Sequence, residues 1–361
     1  MNVLLMFWGG GEGGDASATI ELASALKSRG IDFKLVAYGE THPSDFVARA
    51  QRAGLKLKED LFMISSPENA WEESGLKQAD FDVVHVHHGR TIPKKTDIVP
   101  LRKLAGRLPL ALTAHGPLPL GSIDYGGLKS RLSRWISPVW FKKIIVPSES
   151  KRREWREFTP FSAKVICIPN IVPPLKQVDR NEAREQLGIL IPEKVVLYCS
   201  RLDEEKDPLT FIKAIAEVAK KQQVIGLIAG SGGLAEECKA LACELQAPIR
   251  FLGHVQDVAI AYSAADVFVQ SSLYESFGIT MLQALQMGIP TVASDIPIFR
   301  ELYAQVDGIS WFKPGDSNIC ASQIVAEVAN PHRPELSHSE LTADAIVDAH
   351  LKLWHEVSGK K

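Results

Sequence analysis

Three short segments hold residue types that could grip a polyanion. Gly9-Gly10-Gly11-Glu12-Gly13-Gly14-Asp15 joins an apolar stretch to a helix-like one beginning near Asp15. Glycines lack a Cβ, so this loop could adopt positive φ and let a ligand approach the backbone. It suits a surface turn equally well, and it lacks the closing glycine of G-x-G-x-x-G. Ser200-Arg201-Leu202-Asp203-Glu204-Glu205-Lys206 follows a strongly apolar run. A guanidinium fork binds phosphate oxygens in pairs and a lysine supplies a point charge, so Arg201 and Lys206 could converge on one diphosphate. The three acids between them fit a solvated loop laced with ion pairs, and on spacing alone that is the simpler reading. In the third segment, an apolar run leads through Gln270 to Tyr274-Glu275, Gly278 permits a close turn, and a helix starts around Ile279. The first N–H groups of such a helix form a natural cradle for phosphate or sugar hydroxyls, and Glu275 could accept hydrogen bonds from a sugar.

Two further groups of residues are weaker. His85, His87 and His88 lie at one strand end, but no carboxylate sits at ligand spacing and Asp82 lies at the strand's other end, so a polar cleft wall is the better reading and no metal is assigned. Residues 129–143 hold five basic side chains and three aromatics without an acid. That composition suits a segment lying on anionic lipid; it also suits a helix packed beside a sheet, and Pro138 breaks it.

The elements that position these residues alternate along the chain. Apolar runs at 3–8, 33–37, 82–87, 110–115, 143–147 and 165–168 read as strands, as do 195–200, 224–229, 249–253, 267–270, 291–293 and 309–312. Many are continuous Val/Ile/Leu runs, as expected of parallel strands covered by helices on both faces. The class predicted is therefore α/β, with doubly wound sheets on each side of a break. Ile171-Val172-Pro173-Pro174 and the polar run 176–184 form that break. A last helix, 343–357, sets Ile346, Leu353 and Val357 on one face with Ala349 and His350 between them. Periodicity does not choose its partner; assigned to the first half, it makes one domain of 1–172 with 343–361 and a second of 177–342. A length of 361 residues fits two domains.

Composition excludes several classes. With 45% hydrophobic and 23% charged residues the chain is an ordinary globular protein, and a net charge of −2 gives no global attraction to nucleic acid. Five scattered cysteines contain no C-x-x-C pair, which fits reduced thiols in a cytoplasmic protein. The apolar N-terminus has no basic residues before it and reads as a buried strand, not a signal peptide. No apolar run approaches the ~20 residues that span a bilayer.

The run E-S-F-G-x-x-x-L-x-A-L-x-x-G-x-P-x-V-A-S from Glu275 to Ser294 closely resembles glycosyltransferase family 4, and the resemblance extends over nearly the whole chain. It implies the GT-B fold, two Rossmann-like domains whose parallel sheets face a central cleft. It implies that Glu275 contacts the donor sugar and that the amides of Ile279 and Thr280, past Gly278, hold the diphosphate. Ser200-Arg201-Leu202 with Lys206 resembles the family's diphosphate clamp. Phe251-Leu252-Gly253-His254-Val255 resembles the strand end that places Val255 near the base, and Ile168-Pro169-Asn170 the family's hinge-proximal segment. Gly13-Gly14 resembles the glycine pair beside the donor phosphates. Thr113-Ala114-His115-Gly116 resembles a segment whose histidine touches the reacting sugar; without the resemblance, His115 reads equally as a structural histidine. The chain departs from the family at Gln283, where a second glutamate usually binds the ribose hydroxyls. An amide oxygen still accepts a hydrogen bond but carries no charge, so altered ribose recognition is expected.

The resemblance thus implies a retaining, metal-independent transfer from a nucleotide-diphosphate sugar to a saccharide or lipid-linked acceptor in polysaccharide or glycoconjugate synthesis. No cofactor is expected. Uridine is the base expected of such enzymes, though no residue selects it. The location expected is cytoplasmic, with peripheral contact at the inner membrane face if 129–143 meets lipid. The alternatives are a sugar-nucleotide epimerase of the same fold or a non-catalytic sugar-nucleotide-binding homologue. A nicotinamide dehydrogenase fits poorly, because the glycine fingerprint is imperfect and the cationic pair lies in the other half.

Overall fold

The computed structural model describes residues 1–9, 13–38, 43–89, 95–116, 135, 137–189, 193–255, 257–336 and 342–360. The chain divides into two compact units, Met1–Val172 with His338–Lys361, and Pro173–Ser337.

The first unit is built on a seven-stranded sheet in the order β3-β2-β1-β4-β5-β6-β7. Its strands are β1 (Val3–Trp8), β2 (Phe33–Tyr38), β3 (Leu61–Met63), β4 (Val83–His88), β5 (Leu110–Ala114), β6 (Lys143–Val146) and β7 (Val165–Cys167). All pair in parallel. Side chains of one strand serve two cores: Leu5 and Phe7 pack with the helix Gly14–Ser28, while Leu4 and Met6 pack with Leu101 and Leu104. Burial on both faces explains the unbroken apolar runs. β3 is the strand that sequence reading missed. Three residues are too few to show a period, and the strand forms only through its register with Leu35–Ala37 at the sheet edge.

The second unit holds a six-stranded parallel sheet in the order β10-β9-β8-β11-β12-β13. These are β8 (Lys194–Cys199), β9 (Val224–Ala229), β10 (Ile249–Gly253), β11 (Val267–Gln270), β12 (Thr291–Ser294) and β13 (Ile309–Phe312). Part of the predicted linker belongs to this unit. Asp179 caps a helix, Arg180–Gln186, with its carboxylate accepting from the amides of Asn181 and Glu182. Arg184 is buried, its Nη2 2.6 Å from Asp266 Oδ2 and its Nε donating to the carbonyl of Ala264. The polar run thus contains a buried guanidinium each of whose nitrogens meets a carboxylate or a carbonyl, a pairing that composition cannot reveal.

The last helix, Ala343–Ser358, packs on the first unit. Its buried face is Ile346, Val347, His350, Leu353 and Trp354, while Val357 is half-buried. The Trp354 indole donates to His85 Nδ1 at 3.3 Å, and Arg29 pairs with Asp348 at 2.7 Å. Trp354 is fully buried, so truncating it to Ala would cost about 3–5 kcal/mol.

In each unit the chain winds outward from a central strand and then reverses. β8 lies between β9 and β11, so the turns leaving β8 and β11 emerge side by side; β1 lies between β2 and β4 in the same way. Such reversal points are where sheets of this kind bind ligands.

Candidate active site

The turn after β8 and the turn after β11 are fastened together. Tyr198, buried in β8, donates its hydroxyl towards the carbonyls of Arg201 and Lys206 at 3.1 and 3.2 Å, closing the 201–206 loop on itself. Ser271 donates to the carbonyl of Asp207 at 2.7 Å, and the amides of Leu273 and Tyr274 donate to that of Glu205. Asp207 sits at φ +45° and caps the helix Pro208–Ala219 by accepting from Thr210 N at 3.1 Å. That cap fixes where the loop ends.

Charge is arranged on this frame. Lys206 Nζ lies 2.9 Å from Glu275 Oε1, and both side chains are largely buried. Arg201 is half-exposed and pairs with Asp203 and Glu205. The ion-paired loop foreseen from the intervening acids is therefore present. Glu205 Oε1 also lies 3.6 Å from Lys206 Nζ, so one carboxylate oxygen is within reach of both cations. A single anionic oxygen thus lies between the guanidinium and the ammonium.

Glu275 is held by one oxygen. Oε1 accepts from Lys206, from Ser272 Oγ at 3.1 Å and from Gln270 Nε2 at 3.3 Å, whereas no donor among the described residues reaches Oε2. Gly278 follows at φ +81°, where a Cβ would lie 2.6 Å from the Phe299 ring. Glycine is thus required both by conformation and by space. Gly278 turns the chain into the helix Ile279–Gln286, and the Thr280 hydroxyl donates to Gln270 Oε1 at 2.9 Å. Gln283 lies half-buried one turn along this helix. Val255, just past β10, is half-buried as well.

Sequence reading missed Tyr198, Gln270, Ser272 and the loop Gly230-Ser231-Gly232-Gly233. That loop braces Arg201-Leu202-Asp203: Leu202 N donates to Ser231 O at 2.9 Å, Gly233 N to Asp203 Oδ1 at 3.2 Å, and a Cβ at Gly232 would lie 2.5 Å from Leu202 O. Its signal was legible, a glycine cluster directly after the apolar run 224–229. The others carried none, since a polar residue at a strand end gains meaning only from its neighbours.

In the first unit, the histidines sit in the interior rather than on a cleft wall. His85, His87 and His88 are at most 2% exposed. An indole N–H only donates, so the Trp354 contact puts the His85 proton on Nε2, which donates to Thr113 Oγ1 at 2.7 Å. Burial holds His85 and His87 well below the usual histidine range, and both are neutral at pH 7. His88 Nε2 lies 3.9 Å from Asp97, a carboxylate that spacing did not suggest, yet no trio of metal-ligating side chains forms among the described residues. His115 Nε2 lies 3.2 Å from His87 Nδ1. Burial pushes its imidazole down to about 4 against an upward pull from Asp15, with His88 adding to the lowering. Gly13, extended at φ −85°, precedes the helix that Gly14 begins. Gly10, Gly11, Glu12, residues 129–134 and Ile136 lie outside the described residues.

Two Rossmann-like parallel sheets, each reversing beside its first strand, define a GT-B architecture. Residues 13–174 match the family described as Glycosyltransferase Family 4, and residues 179–331 match Glycosyl transferases group 1. The chain belongs to the family 4 glycosyltransferases. It is 27% identical over 334 residues to the phosphatidyl-myo-inositol mannosyltransferase of Mycobacterium leprae, covering 88% of this chain and 84% of that protein. It is 30% identical over 190 residues to the alpha-monoglucosyldiacylglycerol synthase of Streptococcus pneumoniae, covering 51% of this chain and 43% of that protein. The chain therefore matches less than half the length of the pneumococcal synthase. Among solved structures, Anabaena Alr3699/HepE in complex with UDP and glucose superposes with a TM-score of 0.70 at 18% identity, over 99% of this chain and 95% of that one. The sucrose-phosphate synthase of Thermosynechococcus elongatus gives 0.73 at 17% identity over the whole of both chains.

Proposed function

We infer that this chain transfers a hexosyl group from a nucleotide-diphosphate sugar to a hydroxyl acceptor, with retention at the anomeric carbon and without a metal. The observation that carries the reading is the joint reach of Arg201 and Lys206 to one carboxylate oxygen, beside Glu275 and the helix start at Ile279. Cleavage of the bond between anomeric carbon and phosphate oxygen builds negative charge on the departing diphosphate. Arg201, Lys206 and the amides of Ile279 and Thr280 stabilise that charge where it develops. Glu275 Oε2 accepts from hydroxyls of the donor sugar, Val255 lies at the base, and Gln283 meets the ribose through its amide. In the first unit, His115 contacts the reacting sugar as a neutral imidazole, and Gly13 and Gly14 lie beside the phosphates.

UDP-sugars are the favoured donors, since three of the structural neighbours were solved with UDP. A saccharide or a lipid-linked alcohol is the acceptor, as the names of the mannosyltransferase and glucosyldiacylglycerol synthase relatives suggest. The work of such an enzyme is glycoconjugate or polysaccharide synthesis at the cytoplasmic side of a membrane.

The test is a thermal-shift panel of UDP, GDP and ADP with their glucose and mannose derivatives, followed by donor turnover with and without EDTA. Stabilisation by one diphosphate family names the donor. Indifference to all of them at millimolar concentration rejects the reading. Isomerised donor appearing without any acceptor identifies an epimerase, and binding without turnover in any acceptor mixture identifies a non-catalytic homologue.

A further inference from the structure

Gln270, the last residue of β11, is 1% exposed and follows Val267, Phe268 and Val269, all buried. A primary amide in such a place is costly unless its polar atoms are matched. Its Oε1 accepts from Thr280 Oγ1 at 2.9 Å, and its Nε2 donates to Ser272 Oγ at 2.7 Å and to Glu275 Oε1 at 3.3 Å. The orientation is dictated by the neighbours, because a flipped amide would set a carbonyl oxygen against the Glu275 carboxylate, which has no proton to give. One buried side chain thus ties the acid of the 271–275 turn to the second residue of the helix that follows.

The geometry points to Gln270 as a positioning residue that couples the sugar subsite to the diphosphate subsite. Together with Ser272 and Lys206 it engages Glu275 Oε1, which leaves Oε2 as the oxygen turned to ligand. Through Thr280 the same amide holds that oxygen in register with the helix-start amides. The effect on the reaction is indirect: Gln270 touches no substrate and decides where Glu275 can. This rests on the donor-site reading given above.

The coupling predicts a split between two ligands. Wild type, Gln270→Leu, Gln270→Glu and Ser272→Ala are titrated with UDP, GDP and ADP and with their glucose derivatives, and donor turnover is measured alongside melting. In the Gln270 variants the affinity for the bare diphosphate stays within about twofold, while the extra affinity conferred by the sugar and the kcat for donor turnover fall about tenfold. Gln270→Glu falls as far as Gln270→Leu, because it keeps the shape and loses the donor. Ser272→Ala removes one of the same donors to Glu275 and moves in the same direction, which carries the test if the Gln270 variants fail to fold. Equal weakening of diphosphate and sugar nucleotide, as a purely structural role would give, overturns the proposal, and so does an unchanged kcat. Wild type binding none of the diphosphates overturns the donor-site reading and the coupling with it.

Discussion

Lys206 Nζ and Glu275 Oε1, 2.9 Å apart, join the turn after β8 to the turn after β11. Their side chains are 12% and 11% exposed, so the pair is neither a surface ion pair nor fully removed from water. Removing one member strands the other charge. Lys206→Met or Glu275→Gln should each lower stability by about 3 kcal/mol, and the double variant should recover most of that loss. Donor turnover should stay low in all three. Urea unfolding of the four proteins as a double-mutant cycle checks this; strictly additive losses would mean the pair is not coupled.

Arg201 gives the opposite pattern. It is 54% exposed, and its pairs with Asp203 and Glu205 contribute little to folding. Arg201→Ala should leave the melting temperature nearly unchanged and weaken diphosphate binding about 10- to 100-fold, the range of a charged hydrogen-bond donor lost. A matching loss of stability would assign Arg201 to structure instead.

Gly278→Ala tests the turn. The φ of +81° and the Phe299 ring 2.6 Å from a new Cβ should together cost about 1–3 kcal/mol. The helix start and Glu275 shift with it, so kcat should fall more than stability alone explains. Phe299→Leu in the same background should restore only the steric share.

Acid should destabilise the first unit through its histidines. Burial pushes His350 down to about 4 and His85 and His87 well below their usual range, while the unfolded chain takes up these protons near 6.5. Above pH 6.5 both states are neutral and full stability is present. Between 6.5 and 4 only the unfolded chain binds the proton, so each such group removes up to about 1.4 kcal/mol per pH unit. His350→Leu should flatten the dependence of unfolding free energy between pH 6.5 and 5. An unchanged slope would place the titration elsewhere.

Trp135, Val139 and Trp140 are exposed by 43%, 43% and 51%, beside Lys142 and Lys143. If 129–143 meets a membrane, the protein should sediment with phosphatidylglycerol vesicles at low salt and not with phosphatidylcholine alone. Trp140→Ala should reduce the bound fraction. Equal recovery from both vesicle types, or from neither, assigns the segment to packing.

By itself the sequence determined much. Many of the twelve strand runs are continuous and apolar, which marks them as parallel and doubly covered, because burial on both faces removes the polar alternation. Glu275, Gly278, Arg201 and Lys206 stood out as candidates because each follows such a run, yet spacing alone favoured a plain ion-paired loop for Arg201 and Lys206, and only the resemblance to family 4 suggested a clamp. What only the tertiary structure decided concerns contacts between distant residues. β3 exists through its register with β2. The pairing of Lys206 with Glu275 follows from the reversal that sets β11 beside β8. Trp354 reaches His85 because the last helix returns to the first unit, and Gln270 acquires a role only where Glu275, Ser272 and Thr280 surround it. Local pattern reports what each segment must bury; which partner satisfies a buried polar atom is settled by the packing of the whole unit.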